Sequence, residues 1–163
     1  MLRILLIGRS GQLGWELQRC LAPLGEVVTY DYPEIDLAKP ASLPALMRGV
    51  NPQVIVNAAA YTNVDKAESE AELARQINSV SPGVLAEEAR RLGAAFIHYS
   101  TDYVFDGCKG APYTESDVPH PLNVYGQTKL EGEQAVQAAG GAYLILRTSW
   151  VYSLRQGGFV TKV

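Results

Sequence analysis

The stretch GRSGQLG, residues 8–14, restricts the fold more than any other part of the chain. It sets Gly8, Gly11 and Gly14 in a G-x-x-G-x-x-G pattern. The apolar run RILLIG (3–8) precedes it, and a helical pattern, GQLGWELQRCLAPLG (11–25), grows out of it. Between a strand and a helix, such glycines have separate tasks. Gly8 allows the tight turn, Gly11 lets backbone approach a diphosphate, and Gly14 lets helix and strand pack closely. The free N–H groups opening the helix then offer phosphate oxygens donors and a partial positive charge. A glycine-rich turn in an unrelated α/β domain is the alternative. Along the helix, Leu13, Leu17, Leu21 and Leu24 form an apolar stripe, and Pro23-Leu24-Gly25 ends it.

The alternation continues to the end of the chain. EVVTYD (26–31) reads as a second strand and ASLPALMRG (41–49) as a helix, with Ser42 as its cap and Pro44 in its first turn. QVIVNAAA (53–60) is a third strand. A helical pattern from Glu68 to Leu92 contains Pro82, which predicts a kink. AAFIHYS (94–100) is a fourth strand, and residues 102–121, with Gly107, Gly110, Pro112, Pro119 and Pro121, form a long loop. LNVYGQTKLEGEQAVQAAG (122–140) is a helix and AYLILRTS (142–149) a fifth strand. Strands alternating with helices predict an α/β fold, a doubly wound parallel sheet covered on both faces. The whole chain, 1–163, reads as one NAD(P)-binding, Rossmann-like domain.

Composition narrows the function classes. With 163 residues, 47% hydrophobic, 19% charged and a net charge of −3, the chain reads as a soluble domain with a real core. No Lys/Arg cluster points to nucleic acid, and no apolar run approaches a membrane span. The opening MLRILLIG is too short for a signal peptide. Cys20 and Cys108 lack Cys-x-x-Cys spacing, which fits a reducing, cytoplasmic setting. His98 and His120 lack metal-ligand spacing, so no metal site is expected.

Two residues pull cofactor choice in opposite directions. Asp31 ends the second strand about 20 residues past the glycines, where an acid accepts a hydrogen bond from an adenosine ribose and favours NADH. Arg9, inside the loop, could instead neutralise the 2′-phosphate of NADPH. Use of both cofactors is therefore expected. Asp31 also suits a plain turn in YDYP. Asp36 and Leu37 could bracket the adenine, or be a loop acid beside a core Leu.

NVYGQTK (123–129) sets Tyr125 and Lys129 four apart, on one helix face. The glycine loop, a strand ending NAAA and this Tyr-x-x-x-Lys together resemble the extended short-chain dehydrogenase/reductase superfamily. The resemblance implies that Lys129 binds the nicotinamide ribose and, as a cation, favours ionised Tyr125. Tyr125 then exchanges a proton with a substrate oxygen while nicotinamide carries hydride. The strand end YSTDYVF supplies hydroxyls, Ser100 and Thr101, to hold a carbonyl.

GQLGWELQ, VIVNAAAYTNVDKAESE, HYSTDYVFDG, PLNVYGQTKLEGE and RTSWVY are similar to the dTDP-4-dehydrorhamnose reductase family and span residues 11–152. The resemblance implies reduction of the 4-keto group of a dTDP-6-deoxyhexulose by NADPH or NADH, in dTDP-L-rhamnose synthesis. Thr101, Tyr125 and Lys129 match the family's catalytic set. Gly11, Gln12, Leu13, Asp31, Asp36, Leu37, Ala60, Tyr61, Thr62 and Tyr99 match its cofactor contacts. Thr101, Asp102 and Trp150 match its sugar-nucleotide contacts, with a core aromatic as the alternative for Trp150. Asn78 matches a supporting Asn or is an exposed helical one.

The dehydratases of this superfamily read Thr-Asp-Glu where this chain has Thr101-Asp102-Tyr103, so their acid–base pair is absent and reduction without elimination is expected. An epimerase remains an alternative, as does a non-catalytic NADP-binding subunit like the beta subunit of methionine adenosyltransferase. Some family members hold Mg at a homodimer interface. Glu16 matches the first-helix acid of that site, but an ordinary solvated Glu is the plainer reading. Members of the family are nearly twice as long. The ending GGFVTKV therefore reads as the first turn of a further helix, and most of the sugar-nucleotide pocket is expected from a C-terminal substrate-binding part. The 163-residue chain alone is expected to bind NAD(P)H weakly without turnover.

Overall fold

The computed structural model describes residues 1–153; the expected helical turn in GGFVTKV lies outside them. Five strands, β1 (Leu2–Ile7), β2 (Gly25–Tyr30), β3 (Val54–Asn57), β4 (Ala95–Thr101) and β5 (Tyr143–Thr148), form one sheet in the order β2-β1-β3-β4-β5. Every pairing is parallel. All five expected strands are present, and β3 is shorter than QVIVNAAA suggests, because Ala58–Ala60 leave the sheet at its rim.

The helices are α1 (Gln12–Leu21), α2 (Leu43–Val50), α3 (Val64–Ala67), α4 (Ala71–Arg75), α5 (Ser81–Leu92) and α6 (Val124–Ala139). Side chains alternate across a strand, so β1 serves two cores. Ile4 and Leu6 pack with Val56 against Leu17 and Leu21 of α1. Leu5 and Ile7 pack with Ile55 and Phe96 against Leu43 and Met47 of α2, Leu85 and Ala89 of α5, and Val136 of α6. Burial from both sides explains the unbroken apolar run of β1. The stripe expected along α1 is only half core. Leu13 turns to the rim of the cleft described below, and Leu24 is 61% exposed beyond the helix end.

Other local expectations change for identifiable reasons. Ser42 precedes α2 but is already in helical conformation, so its hydroxyl donates back to the Lys39 carbonyl at 2.9 Å and caps nothing. Pro44 does sit in the first turn. The helix expected over 68–92 is broken: α3 and α4 precede a π-helical turn, Gln76–Val80, that runs into α5. Pro82 lies in the first turn of α5, where its missing N–H matters least. The wide turn lets Asn78 meet α6, and a Cβ on Gly132 would lie 2.1 Å from the Asn78 carbonyl oxygen. Of the two readings of Asn78, the exposed helical one is excluded, because the residue is 1% exposed.

Chain progress reverses between β1 and β3, and a crevice opens there beyond the carboxyl ends of the strands. No helix among the described residues is long and apolar enough to cross a membrane.

Candidate active site

A cleft of about 1140 Å³ occupies that crevice. Its first wall is the glycine loop. Gly8 has φ +92°, and a Cβ there would lie 2.8 Å from the Ala59 nitrogen. A Cβ on Gly14 would lie 1.9 Å from the Gly8 carbonyl oxygen, so α1 can approach β1 only because this residue has none. Gly11 stands at the N-terminus of α1, where a Cβ would meet nothing closer than Gly8 O at 3.6 Å. The open space beside it faces the cleft.

At the end of β2, Asp31 accepts from the Ser10 N–H at 2.6 Å and the Tyr32 N–H at 2.9 Å. Burial works to raise its pKa, but the Ser10 and Tyr32 hydrogen bonds and the Arg9 charge outweigh it and hold the carboxyl below its ordinary value. Arg9 donates to the Thr29 carbonyl at 3.0 Å and pairs with Glu34 at 2.7 Å.

The second wall is α6 with the end of β4. The Asn123 side chain accepts from the Gly126 N–H at 2.7 Å and caps α6, which starts at Val124. Gly126 lets the helix close on the 3-10 turn that follows β4, Asp102–Val104, since a Cβ would sit 2.2 Å from Tyr103 O. Tyr125 and Lys129 both line the cleft. Lys129 is 2% exposed and donates to the Tyr99 carbonyl at 2.6 Å. Burial pulls its pKa down to about 8, against the opposing pull of Glu133.

Tyr125 departs from expectation. Its phenol is pushed up, by burial first and then by Asp102 and Tyr103, with only the Thr101 hydroxyl opposing. The Lys129 nitrogen is held on the Tyr99 carbonyl, and burial decides the direction. Thr101 donates to Asp102 at 3.1 Å and accepts from the Tyr103 N–H at 3.2 Å. Asp102 in turn accepts from the Ser149 hydroxyl at 2.7 Å. Trp150 is 82% exposed on the cleft wall, not a core aromatic.

Gly8, Gly11, Gln12, Leu13, Asp31, Ala60, Thr62, Tyr99, Thr101, Asp102, Tyr125, Lys129 and Trp150 thus share one cleft. Arg9, Gly14, Asp36, Leu37 and Tyr61 are not on its wall. Leu37 is buried in the core, and Asp36 caps the Ala38 N–H at 2.9 Å. Tyr61 is clasped through its backbone by Asn78, and its hydroxyl donates to Glu70 at 2.6 Å. Sequence reading missed Asn123, Glu34 and the Asn57–His98 pair. A polar residue directly before a helix was the available signal for Asn123; nothing local marks the other three.

Ser100 Oγ is, among the described residues, the one buried side-chain polar atom without a hydrogen-bond partner, and Ser100 lies on the cleft wall. An unsatisfied buried hydroxyl costs about 1–3 kcal/mol. Ser100→Ala is therefore expected to stabilise the ligand-free chain in urea unfolding. Clear destabilisation would show that the hydroxyl already has a partner.

A parallel sheet with its reversal at β1/β3, a glycine loop opening α1 and a Tyr/Lys pair on the opposite wall define a Rossmann-like domain of short-chain dehydrogenase/reductase type. The chain belongs to the family described as RmlD substrate binding domain, whose model matches residues 2–163. It is 49% identical over 159 residues to dTDP-4-dehydrorhamnose reductase of Burkholderia thailandensis, covering 98% of this chain and 53% of that protein. The Escherichia coli K12 enzyme of the same name is 49% identical over 162 residues, covering 97% and 54%. The crystal structure of dTDP-4-dehydrorhamnose reductase from Bacillus anthracis, in complex with NADP, superposes with a TM-score of 0.94 at 36% identity, over 99% of this chain and 58% of that one. The chain spans about half the length of the curated relatives it matches.

Proposed function

We propose that this chain carries the NAD(P)H site and the Thr101, Tyr125 and Lys129 set of a dTDP-4-dehydrorhamnose reductase. The observation that carries the proposal is the cleft itself, which brings a glycine-lined helix N-terminus and the Tyr125/Lys129 pair to opposite walls of one space. The residues suit a dinucleotide: space beside Gly11 for a diphosphate, Asp31 at the ribose position, and an unpaired Ser100 hydroxyl farther in. Bound there, the reduced nicotinamide supplies a hydride.

The chain's own groups do the rest. Tyr125, kept protonated by its raised pKa, gives its proton to the former keto oxygen. Thr101 and Asp102, linked to each other and to Ser149, orient the sugar. Trp150 offers an exposed ring beside it. The sugar-nucleotide substrate follows from the names of the relatives. For Mg the described residues hold no ligand set of their own. Glu16 pairs with Arg19, and no group of three or more His, Cys, Asp or Glu among the described residues could hold a metal ion. The free cysteines Cys20 and Cys108 suit a reducing, cytoplasmic setting.

Titration calorimetry with NADPH, and loss of NADPH absorbance with dTDP-4-dehydrorhamnose, test the proposal. Binding abolished by a side chain at Gly11, where a Cβ meets nothing closer than 3.6 Å, supports it; absence of any NAD(P)H binding to the native chain overturns it. The pairing of Arg9 with Glu34 adds a prediction about cofactor choice. Arg9→Ala should cost about 1.5–3 kcal/mol of NADPH affinity, the worth of a charge-assisted phosphate contact, and less with NADH. Glu34→Gln should shift preference towards NADPH by releasing Arg9. Equal losses for both cofactors in Arg9→Ala would show that Arg9 does not read the 2′ position.

A further inference from the structure

Ser100 is the last residue but one of β4 and is 5% exposed. Side chains alternate along a strand, so it shares a face with Phe96 and His98. That is the face α6 covers: Phe96 packs in one core with Val136, and His98 Nε2 lies 3.4 Å from Lys129 Nζ. Ser100 thus stands one step beyond His98, about 7 Å further along the strand. It lines the cleft there.

No neighbouring group among the described residues satisfies its hydroxyl. Thr101 donates to Asp102 and accepts from the Tyr103 N–H. Thr148 donates to the Ser100 carbonyl at 3.3 Å, not to its side chain. Thr128 donates to the Tyr125 carbonyl at 2.9 Å. Lys129 donates to the Tyr99 carbonyl at 2.6 Å. That carbonyl belongs to the peptide group joining Tyr99 to Ser100, so the contact sets the amine beside the serine. A pKa of about 8 leaves this amine mainly charged at neutral pH. The Ser100 Oγ is enclosed, yet no hydrogen bond fixes its rotamer, and turning it between staggered positions breaks none.

A ligand that meets both groups has a defined chemistry. The ammonium only donates, so it needs an acceptor. The serine hydroxyl donates and accepts. A vicinal diol answers both: one oxygen accepts from Lys129, and a hydroxyl pairs with Ser100 Oγ. On a nicotinamide dinucleotide the diphosphate belongs to the glycine loop on the opposite wall, which leaves the second ribose for this end of the cleft.

We propose that Ser100 is a further cofactor contact, whose hydroxyl pairs with the diol of the ribose bearing the nicotinamide while Lys129 donates to the same diol. The contact rests on the NAD(P)H site proposed above. A pairing missing in the free chain and made in the complex gives Ser100 opposite effects on stability and on affinity.

Three ligands separate the parts. NADH carries the whole group, ADP-ribose keeps the second ribose without the nicotinamide, and ADP lacks both. Titration calorimetry of the native chain should show tighter binding of NADH and of ADP-ribose than of ADP. Ser100→Ala should weaken NADH and ADP-ribose by about tenfold, the return of an unpaired buried hydroxyl on gaining a partner, and leave ADP unchanged. The same variant should unfold at no lower urea than the native chain, so that affinity falls without loss of fold. Equal affinities of variant and native chain for all three ligands would overturn the contact. So would a loss for NADH alone, which would place the hydroxyl on the carboxamide, or an equal loss for ADP, which would mean general damage to the site. ADP-ribose bound by the native chain no more tightly than ADP would overturn it without any variant. Binding of none of the three to the native chain would instead overturn the proposed function, and the contact with it.

Discussion

Replacing Tyr125 with Phe is expected to lower kcat for keto reduction by about 10²–10⁴, the usual worth of a positioned proton donor. NAD(P)H affinity should hold, because the ring is kept in place by its edge contact with Tyr103, at 5.5 Å between centroids, and not by its hydroxyl. The pH profile carries the sign of the effect. A proton donor must be protonated to act, and the Tyr125 pKa is raised by burial. Loss of rate from this group should therefore appear only above the ordinary phenol value of 10, with no loss at neutral pH. Steady-state kinetics with dTDP-4-dehydrorhamnose and NADPH would check both points. Near-normal turnover in Tyr125→Phe would mean that another group supplies the proton, and the Thr101 hydroxyl would be the next to test.

A second large effect is expected on stability. Glu133 is 2% exposed and holds Arg147, whose side chain is 24% exposed and lies over the Phe105 ring at 4.9 Å. Removing one partner of a buried pair leaves the other charge uncompensated, at a cost of about 3–5 kcal/mol. Arg147 keeps one edge in water, so Glu133→Ala belongs at the lower end, about 3 kcal/mol, or a fall in Tm of about 6–12 °C. The same change removes the charge that opposes burial at Lys129 and should drive its pKa further below about 8. Chemical and thermal unfolding measure the first effect. A loss under about 1 kcal/mol would assign the pair no more weight than a surface ion pair.

The strands were legible in the sequence because burial on both faces writes an unbroken apolar run. RILLIG and VIVN carry that signature, and both are strands. Gly8 and Gly14 were legible because a missing Cβ has a local cause: a left-handed turn in one case, a carbonyl 1.9 Å from the would-be atom in the other. The break in the 68–92 helix was not. A π-helical turn replaces the simple kink at Pro82, because Asn78 must meet Gly132, more than fifty residues away. Long-range polar pairs were hidden for the same reason. Nothing near Arg9 in sequence marks Glu34 as its partner, and nothing near His98 marks Asn57 or Lys129. Tyr125 was recognised by spacing, but the direction of its pKa depends on how deeply the ring is enclosed, which spacing does not express.

The all-parallel sheet also sets the order of events in folding. It contains no hairpin, so each ladder must wait for distant chain to arrive. Even adjacent β1 and β2 align Arg3 with Glu26, 23 residues on, and β3 meets β4 through Asn57 and His98, 41 residues apart. Loop closure must precede any gain from those pairings, and chains built on such separations fold slowly. The helices can form within microseconds, while β1, the strand that both β2 and β3 need, must wait for each of them to arrive. Until β3 docks, its apolar edges stay open to other chains, so refolding yield should fall as protein concentration rises.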